Sequence, residues 1–301
     1  MNALMRKPND LLSYWRRYDW RESFFAPNFR ILQALTMTGR TASGAGHTRE
    51  SAFRRCLGET AELHALSALA AVDAGTMGAG PDTGRIGLAA HPDPECARHG
   101  AILEAFERLA AMRWWLGQAP ALPLDDAWLE QEMLIPGAER ARFGAALKRR
   151  TGWWRIDTPV GSPHVVLCRS MSAEGQDILL GFGADPCPAT AARKALRELL
   201  LMEMNLMELL AARSVGQEDG LRPLRARIAS YTRICPLLLA ERRAVTPEAG
   251  QPLAFERAGE WFGTDLRSGD ITPPDGPISV WMCSPDLPPA ESGGPDGSPF
   301  M

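Results

Sequence analysis

The sequence predicts a mixed α/β fold of the α+β kind, with mixed and antiparallel sheets and long helices that carry acidic motifs. Three observations carry that expectation. Stretches at 49–72, 91–117 and 188–213 read as long helices. Three β-rich runs, WWRIDTP, HVVLCRSM and DILLGFG, follow one another with GSP and AEGQD between them, as in an antiparallel meander. Extended segments, RILQALTMTGR and RIGLAAH, lead toward the first two helices.

Bulk properties narrow the function classes. The 301 residues suffice for one large domain or two smaller ones, and 45% hydrophobic with 23% charged residues is ordinary for a globular chain. A net charge of -3 and the absence of a long Lys/Arg run argue against nucleic acid. The densest basic patch, Lys148, Arg149 and Arg150, reads as a helix end near Gly152. No segment has signal-peptide character or the length of a membrane span. Six scattered cysteines without a Cys-x-x-Cys pair point to reduced thiols and a cytoplasmic location, and the histidine spacing argues against zinc.

In chain order, residues 1–30 form an aromatic-rich segment (Tyr14, Trp15, Tyr18, Trp20, Phe24, Phe25) expected to dock as a short helix and loop. TASGAGHT, with Ser43, reads as a Gly-rich turn of the kind that cradles phosphate, although Ala45 stands where a P-loop needs Lys. The first helix starts after Thr48 as N-cap and carries Glu59 and Glu62, with Gly58 marking close packing. GAGPDTG is a turn. The second helix is bounded by Pro92 and Pro94 at one end and Gly117 at the other. Its Ile102, Leu103, Phe106, Leu109, Ala110, Met112 and Trp114 recur at helical period, while Glu104 and Glu107 project from one side ahead of Arg108. Residues 118–137 read as a connection and ERARFGAALKRR as a short helix before the meander. The third helix carries Glu198, Glu203 and Glu208. Glu198 and Glu203 lie about 140° apart around it, so only one of them can point at a shared site. A helix at 221–234 and a strand PISVWMCSP follow, and 285–301 reads as a Pro/Gly-rich disordered tail.

Three helices thus carry paired or clustered glutamates in apolar, alanine-rich surroundings. Burying so many carboxylates without cations costs several kcal/mol for each ion, on the order of the desolvation penalty. Either they all face water, or they converge on cations. Hard divalent ions such as magnesium, with a nucleotide, suit such a set of oxygen donors.

The runs SGAGHTRESAFRRCLGETAE, HPDPECARHGAILEAFERLAAMRWW and GFGADPCPATAARKALRELLLME resemble the three signature helices of the YcaO family, in the family's order, over roughly residues 30–213. The Glu-x-x-Glu-Arg before Trp-Trp is the most specific element. The resemblance implies a YcaO-like ATP-binding domain at 31–284, with ATP bound through magnesium in an acidic cleft. It implies Glu59, Glu62, Glu104 and Glu107 as magnesium ligands, Arg108 as a phosphate contact, and Ser43, Glu198 and Glu203 on the nucleotide side. The activity implied is ATP-dependent modification of peptide backbone amides in the biosynthesis of a ribosomally made, post-translationally modified peptide such as a bacteriocin. A Cys, Ser or Thr side chain attacks an amide whose oxygen is phosphorylated, leaving an azoline, the thiazole or oxazole precursor. Sister branches make thioamides.

The departures define the alternative. Leu63 stands where the family's first helix usually has Arg, Arg55 where Ser is usual, and Leu201 where the third helix usually has Gln. The chain is short for the family, its end lacks the alternating prolines of azoline-forming members, and no leader-binding domain is recognisable ahead of the core. These features suit a degenerate scaffold subunit without ATP turnover, and cleft-facing Leu63 and Leu201 would favour that reading. Either way the expected partners are a precursor peptide and a leader-binding or dehydrogenase protein, with a homodimer or hetero-complex as the assembly.

Overall fold

The computed structural model describes residues 8–73, 85–216, 219–239, 242–250, 252–286 and 299–300. The turn expected at 78–84 and most of the tail expected at 285–301 lie outside them. A 3-10 turn, Pro8–Tyr14, leads into β1 (Trp15–Arg21), β2 (Arg30–Thr36) and β3 (Thr41–Gly46), then α1 (Arg49–Asp73). β4 (Gly87–His91) precedes α2 (Pro94–Trp115). β5 (Ala121–Pro123), α3 (Asp126–Gln131) and α4 (Leu134–Arg142) come next, then the meander β6 (Arg149–Ile156), β7 (His164–Ser172) and β8 (Leu179–Asp185). α5 (Pro188–Ser214), α6 (Arg222–Leu238), α7 (Ala258–Phe262), β9 (Leu266–Asp270) and β10 (Ser279–Pro285) complete the order.

The chain divides into two compact units. The first comprises 1–21, 30–108 and 254–287. It holds the antiparallel sheet β1-β2-β3 and a second sheet in the order β4-β10-β9. Leu11, Leu57, Ala61 and Ala65 pack with Ile278 and Val280, and Leu32, Ala34, Ala42, Cys56 and Leu63 form a neighbouring cluster. The second unit, 22–29, 109–253 and 288–301, is built on the antiparallel sheet β5-β6-β7-β8 with α5 against it. Trp114, Trp115, Phe182 and Tyr231 meet in its core in tilted and edge-on pairs at centroid distances near 6 Å. Phe300 joins Phe182, and the Tyr231 hydroxyl donates to the Pro299 carbonyl.

The long helices and the meander lie where periodicity and turn residues predict them. Thr48 caps α1, its Oγ1 accepting from the Ser51 N–H. Four expectations are corrected. TASGAGHT is no turn: Thr41–Gly46 is strand β3, paired along its length with β2. Its glycine serves close packing, since a Cβ on Gly44 would overlap the Ala52 carbonyl and the Cys56 N–H of α1. Gly87 stands in the same relation to Ala101 and Ala105 of α2. Second, the aromatic segment is no short helix and loop throughout: β1 pairs antiparallel with β2. Third, the connection at 118–137 contains β5, α3 and the start of α4. Fourth, ERARFGAALKRR is not one helix. α4 ends at Arg142, Gly144 takes a φ of 79°, and Arg149 and Arg150 open β6, so the basic patch is a strand start. At the other end of the chain, Pro285 closes β10.

Candidate metal and nucleotide site

In the first unit, two helices are held against two strands closely enough for glutamates to reach the strands' backbone. Gly44 and Gly87 permit that approach. The Ser43 N–H of β3 donates to Glu59 Oε2 at 2.6 Å, the Leu88 N–H of β4 to Glu104 Oε2 at 2.9 Å, and the Ala90 N–H to Glu62 Oε1 at 2.9 Å. Each carboxylate therefore has one oxygen oriented by main chain. Arg108 forks onto Glu104 Oε1 through Nε at 3.1 Å and a terminal nitrogen at 2.6 Å, the i,i+4 pairing that a helix favours.

Glu62 shows what this costs. Burial first, then the charges of Glu104 and Glu59, pushes its carboxyl well above the usual carboxylate range; the Ala90 N–H and Arg108 act the other way. Among the described residues no donor reaches Glu62 Oε2. Carboxylates from α1 and α2 thus crowd one half-buried place, where their repulsion adds to the cost of burial and Arg108 offsets part of it. Oxygen donors of this kind fit magnesium. Glu107, one turn beyond Glu104, is half-buried.

The residues expected on the third helix part ways. Glu198 is exposed, whereas Glu203 is fully buried. Arg142 grips both Glu203 oxygens at 2.7 and 2.8 Å, and Arg149 Nε stands 3.2 Å away. Glu203 is therefore the anion of a core ion-pair network, which corrects its expected place beside the nucleotide. Leu63 lies in the core cluster described above, so its replacement of Arg removes nothing from an open site. Leu201 is half-buried.

Ser43 was singled out by its Gly-rich segment, but as a phosphate contact and not as the donor to Glu59; the backbone donors Leu88 and Ala90 had no sequence signal beyond Gly87 near them. Nor is there an activated thiol here: burial, then Glu59, raises Cys56 to about 12. All six cysteines are free. His91, Asp93 and Cys96 also cluster, but as a helix cap, with Asp93 accepting the Cys96 N–H and His91 Nδ1 accepting the Asp93 N–H. No helix among the described residues is long and apolar enough to cross a membrane.

Comparison with known proteins identifies a family and similar folds. The sequence model of a family described as YcaO cyclodehydratase, ATP- and Mg2+-binding, matches residues 81–269. A search of curated proteins finds no match. The fold is similar to that of YcaO from Methanopyrus kandleri bound with AMPPCP and Mg2+, at a TM-score of 0.58 and 15% identity over 92% of this chain and 90% of that one. It is similar to a chain of the E. coli microcin synthetase McbBCD complex, at 0.59 and 14% over 89% and 86%. A heterocyclase in complex with substrate and cofactor matches at 0.57 and 12% over 93% and 52%.

Proposed function

The chain belongs to the YcaO family, a family that binds ATP and Mg2+, and from that premise we propose that it uses ATP to modify backbone amides of a ribosomally made peptide. The observation that carries the reading is the crowding of Glu59 and Glu104 around Glu62, whose charged form a bound cation would favour beyond what Arg108 and the Ala90 N–H supply. Glu59, Glu62 and Glu104 would hold the magnesium, with Glu107 as a further carboxylate on the same helix. The N–H groups of Ser43, Leu88 and Ala90 fix one oxygen of each first-named carboxylate, so the site is organised before the ion arrives. Arg108 holds Glu104 and offers the planar donor fork suited to phosphate.

Bound ATP supplies a phosphoryl group that makes the amide oxygen a leaving group. In the azoline-forming reaction a Cys, Ser or Thr side chain of the substrate adds to the amide carbon. The amide oxygen departs as phosphate, and the side chain and the amide nitrogen each give up a proton. Excluding water from that carbon is the protein's task. Product mass distinguishes this ring from the thioamide of sister enzymes. The scaffold alternative loses one support, because Leu63 is a core residue. As in the similar microcin synthetase, which is a complex of several proteins, we propose that a partner protein delivers the peptide.

The test is isothermal titration of the purified protein with magnesium and a non-hydrolysable ATP analogue, repeated on Glu104→Gln and Glu107→Gln. Binding that the wild type shows and a folded Glu104→Gln lacks supports the site. No binding by a folded wild type, alone and with co-encoded proteins, overturns it in favour of a scaffold.

A further inference from the structure

β5 is so short that it pairs with β6 only from Trp154 to Ile156. Leu124 adds one bond, its N–H donating to the Trp153 carbonyl, and the chain then turns away into α3. That bond sets the parity of the strand. The register between β6 and β7 is unbroken, so the N–H and C=O groups of Thr151 and Arg149 point outward on the same side as the Trp153 carbonyl. Among the described residues nothing pairs with these outward groups. The open edge borders a cavity of about 870 Å3, lined by Arg149, Thr151 and Gly152 on the strand side and by Phe143 and Ala145 opposite. Phe143 is 79% exposed and Leu147, just beyond, 47%, so both present apolar surface near this edge.

An orphaned strand edge complements one kind of ligand, another extended backbone. Charge narrows the ligand further. Arg142, Lys148 and Arg149 line the cavity against Asp126 and Glu139. Arg142 and Arg149 share the single carboxylate of Glu203, exposed Arg150 donates to a neutral carbonyl, that of Ala173, and Lys148 has no acidic partner among the described residues. The start of β6 is therefore cationic.

We propose that β6 receives an extended, acidic segment of the substrate peptide as an added strand. The segment is hydrogen-bonded to Thr151 and Arg149, with a carboxylate beside Lys148 and an apolar side chain against Phe143. This rests on the reading of the substrate as a peptide but uses none of the residues assigned to magnesium or nucleotide.

The test is fluorescence anisotropy of the full chain with labelled peptides of about eight residues, a typical strand length. The probes are alternating valine and glutamate, its valine–lysine counterpart, and the glutamate peptide N-methylated at alternate residues. The glutamate peptide is expected to bind, and the other two at least roughly tenfold more weakly. Thr151→Pro removes an outward N–H that no ladder uses, together with the hydroxyl that accepts from Arg142, and should weaken binding by roughly tenfold or more relative to Thr151→Val, which loses the same hydroxyl. Thr151→Val keeps that N–H and should keep the binding. Lys148→Glu, an exposed change that decides the matter if the proline variant does not fold, should reverse the preference toward the lysine peptide. Three results each overturn the proposal: no saturable binding of either peptide, equal binding of the methylated probe, or a Thr151→Pro effect on oligomeric state instead of binding. Glu104→Gln should bind the glutamate peptide like wild type, so loss of the nucleotide site and loss of this edge are read separately.

Discussion

Replacing Glu203 by Gln tests the division of labour among the glutamates most directly. The Glu203 carboxylate is 0% exposed, and the side chains of Arg142 and Arg149 are 11% and 3% exposed. Removing the shared carboxylate leaves two guanidiniums near each other, with the Asp177 carboxylate still favouring the charge of Arg149. Arg142 already disfavours the charged form of Arg149, after burial. Breaking a buried pair in this way costs about 3–5 kcal/mol, because the remaining charge stays desolvated. For a unit of this size each kcal/mol is worth about 2–4 °C, so the melting temperature should fall by roughly 6–20 °C. Thermal unfolding followed by tryptophan fluorescence reads this, since Trp114, Trp115, Trp153 and Trp154 all belong to the second unit. Magnesium–nucleotide affinity measured well below the new midpoint should be unchanged. A variant that melts within a degree or two of wild type but no longer binds nucleotide would refute the reasoning and return Glu203 to the nucleotide.

Other outcomes follow from the same contacts. Because Glu62 has its carboxyl raised in the folded state, its ionisation opposes folding, and the penalty is absent below the ordinary glutamate value of about 4.3 and grows as pH rises above it. In magnesium-free buffer Glu62→Gln should therefore melt above wild type at neutral pH and level with it in acid, while added magnesium stabilises wild type alone. Magnesium binding should release protons, seen as a buffer-dependent enthalpy, and weaken as pH falls. Gly87→Ala should destabilise by about 1–3 kcal/mol or more and loosen magnesium binding, because the new methyl must push β4 off α2; denaturant unfolding with a parallel titration checks both. Arg108→Lys should lower nucleotide affinity with little change in melting, since an ammonium does not reproduce the fork.

Much of the fold was legible because it rests on local periodicity. Apolar residues at helical spacing, Thr48 as a cap, and alternation broken by GSP and AEGQD determine α1, α2, α5 and the β6–β8 meander within the chain's own neighbourhood. The Glu-x-x-Glu pairs of α1 and α2 were legible as candidates, since that pattern in an apolar helix is costly without a cation. Three things were decided only by tertiary structure. TASGAGHT became a strand because β2 lies beside it and its glycine admits α1, a close approach with no local signature. Glu203 became a core anion because Arg142 and Arg149, more than fifty residues earlier, converge on it. Lys148–Arg150 became an open strand edge because β5 stops three residues after it starts. Sequence spacing determined which carboxylates share a helix face. Which of them meet each other, and which meet an arginine, depended on contacts between elements far apart in the chain.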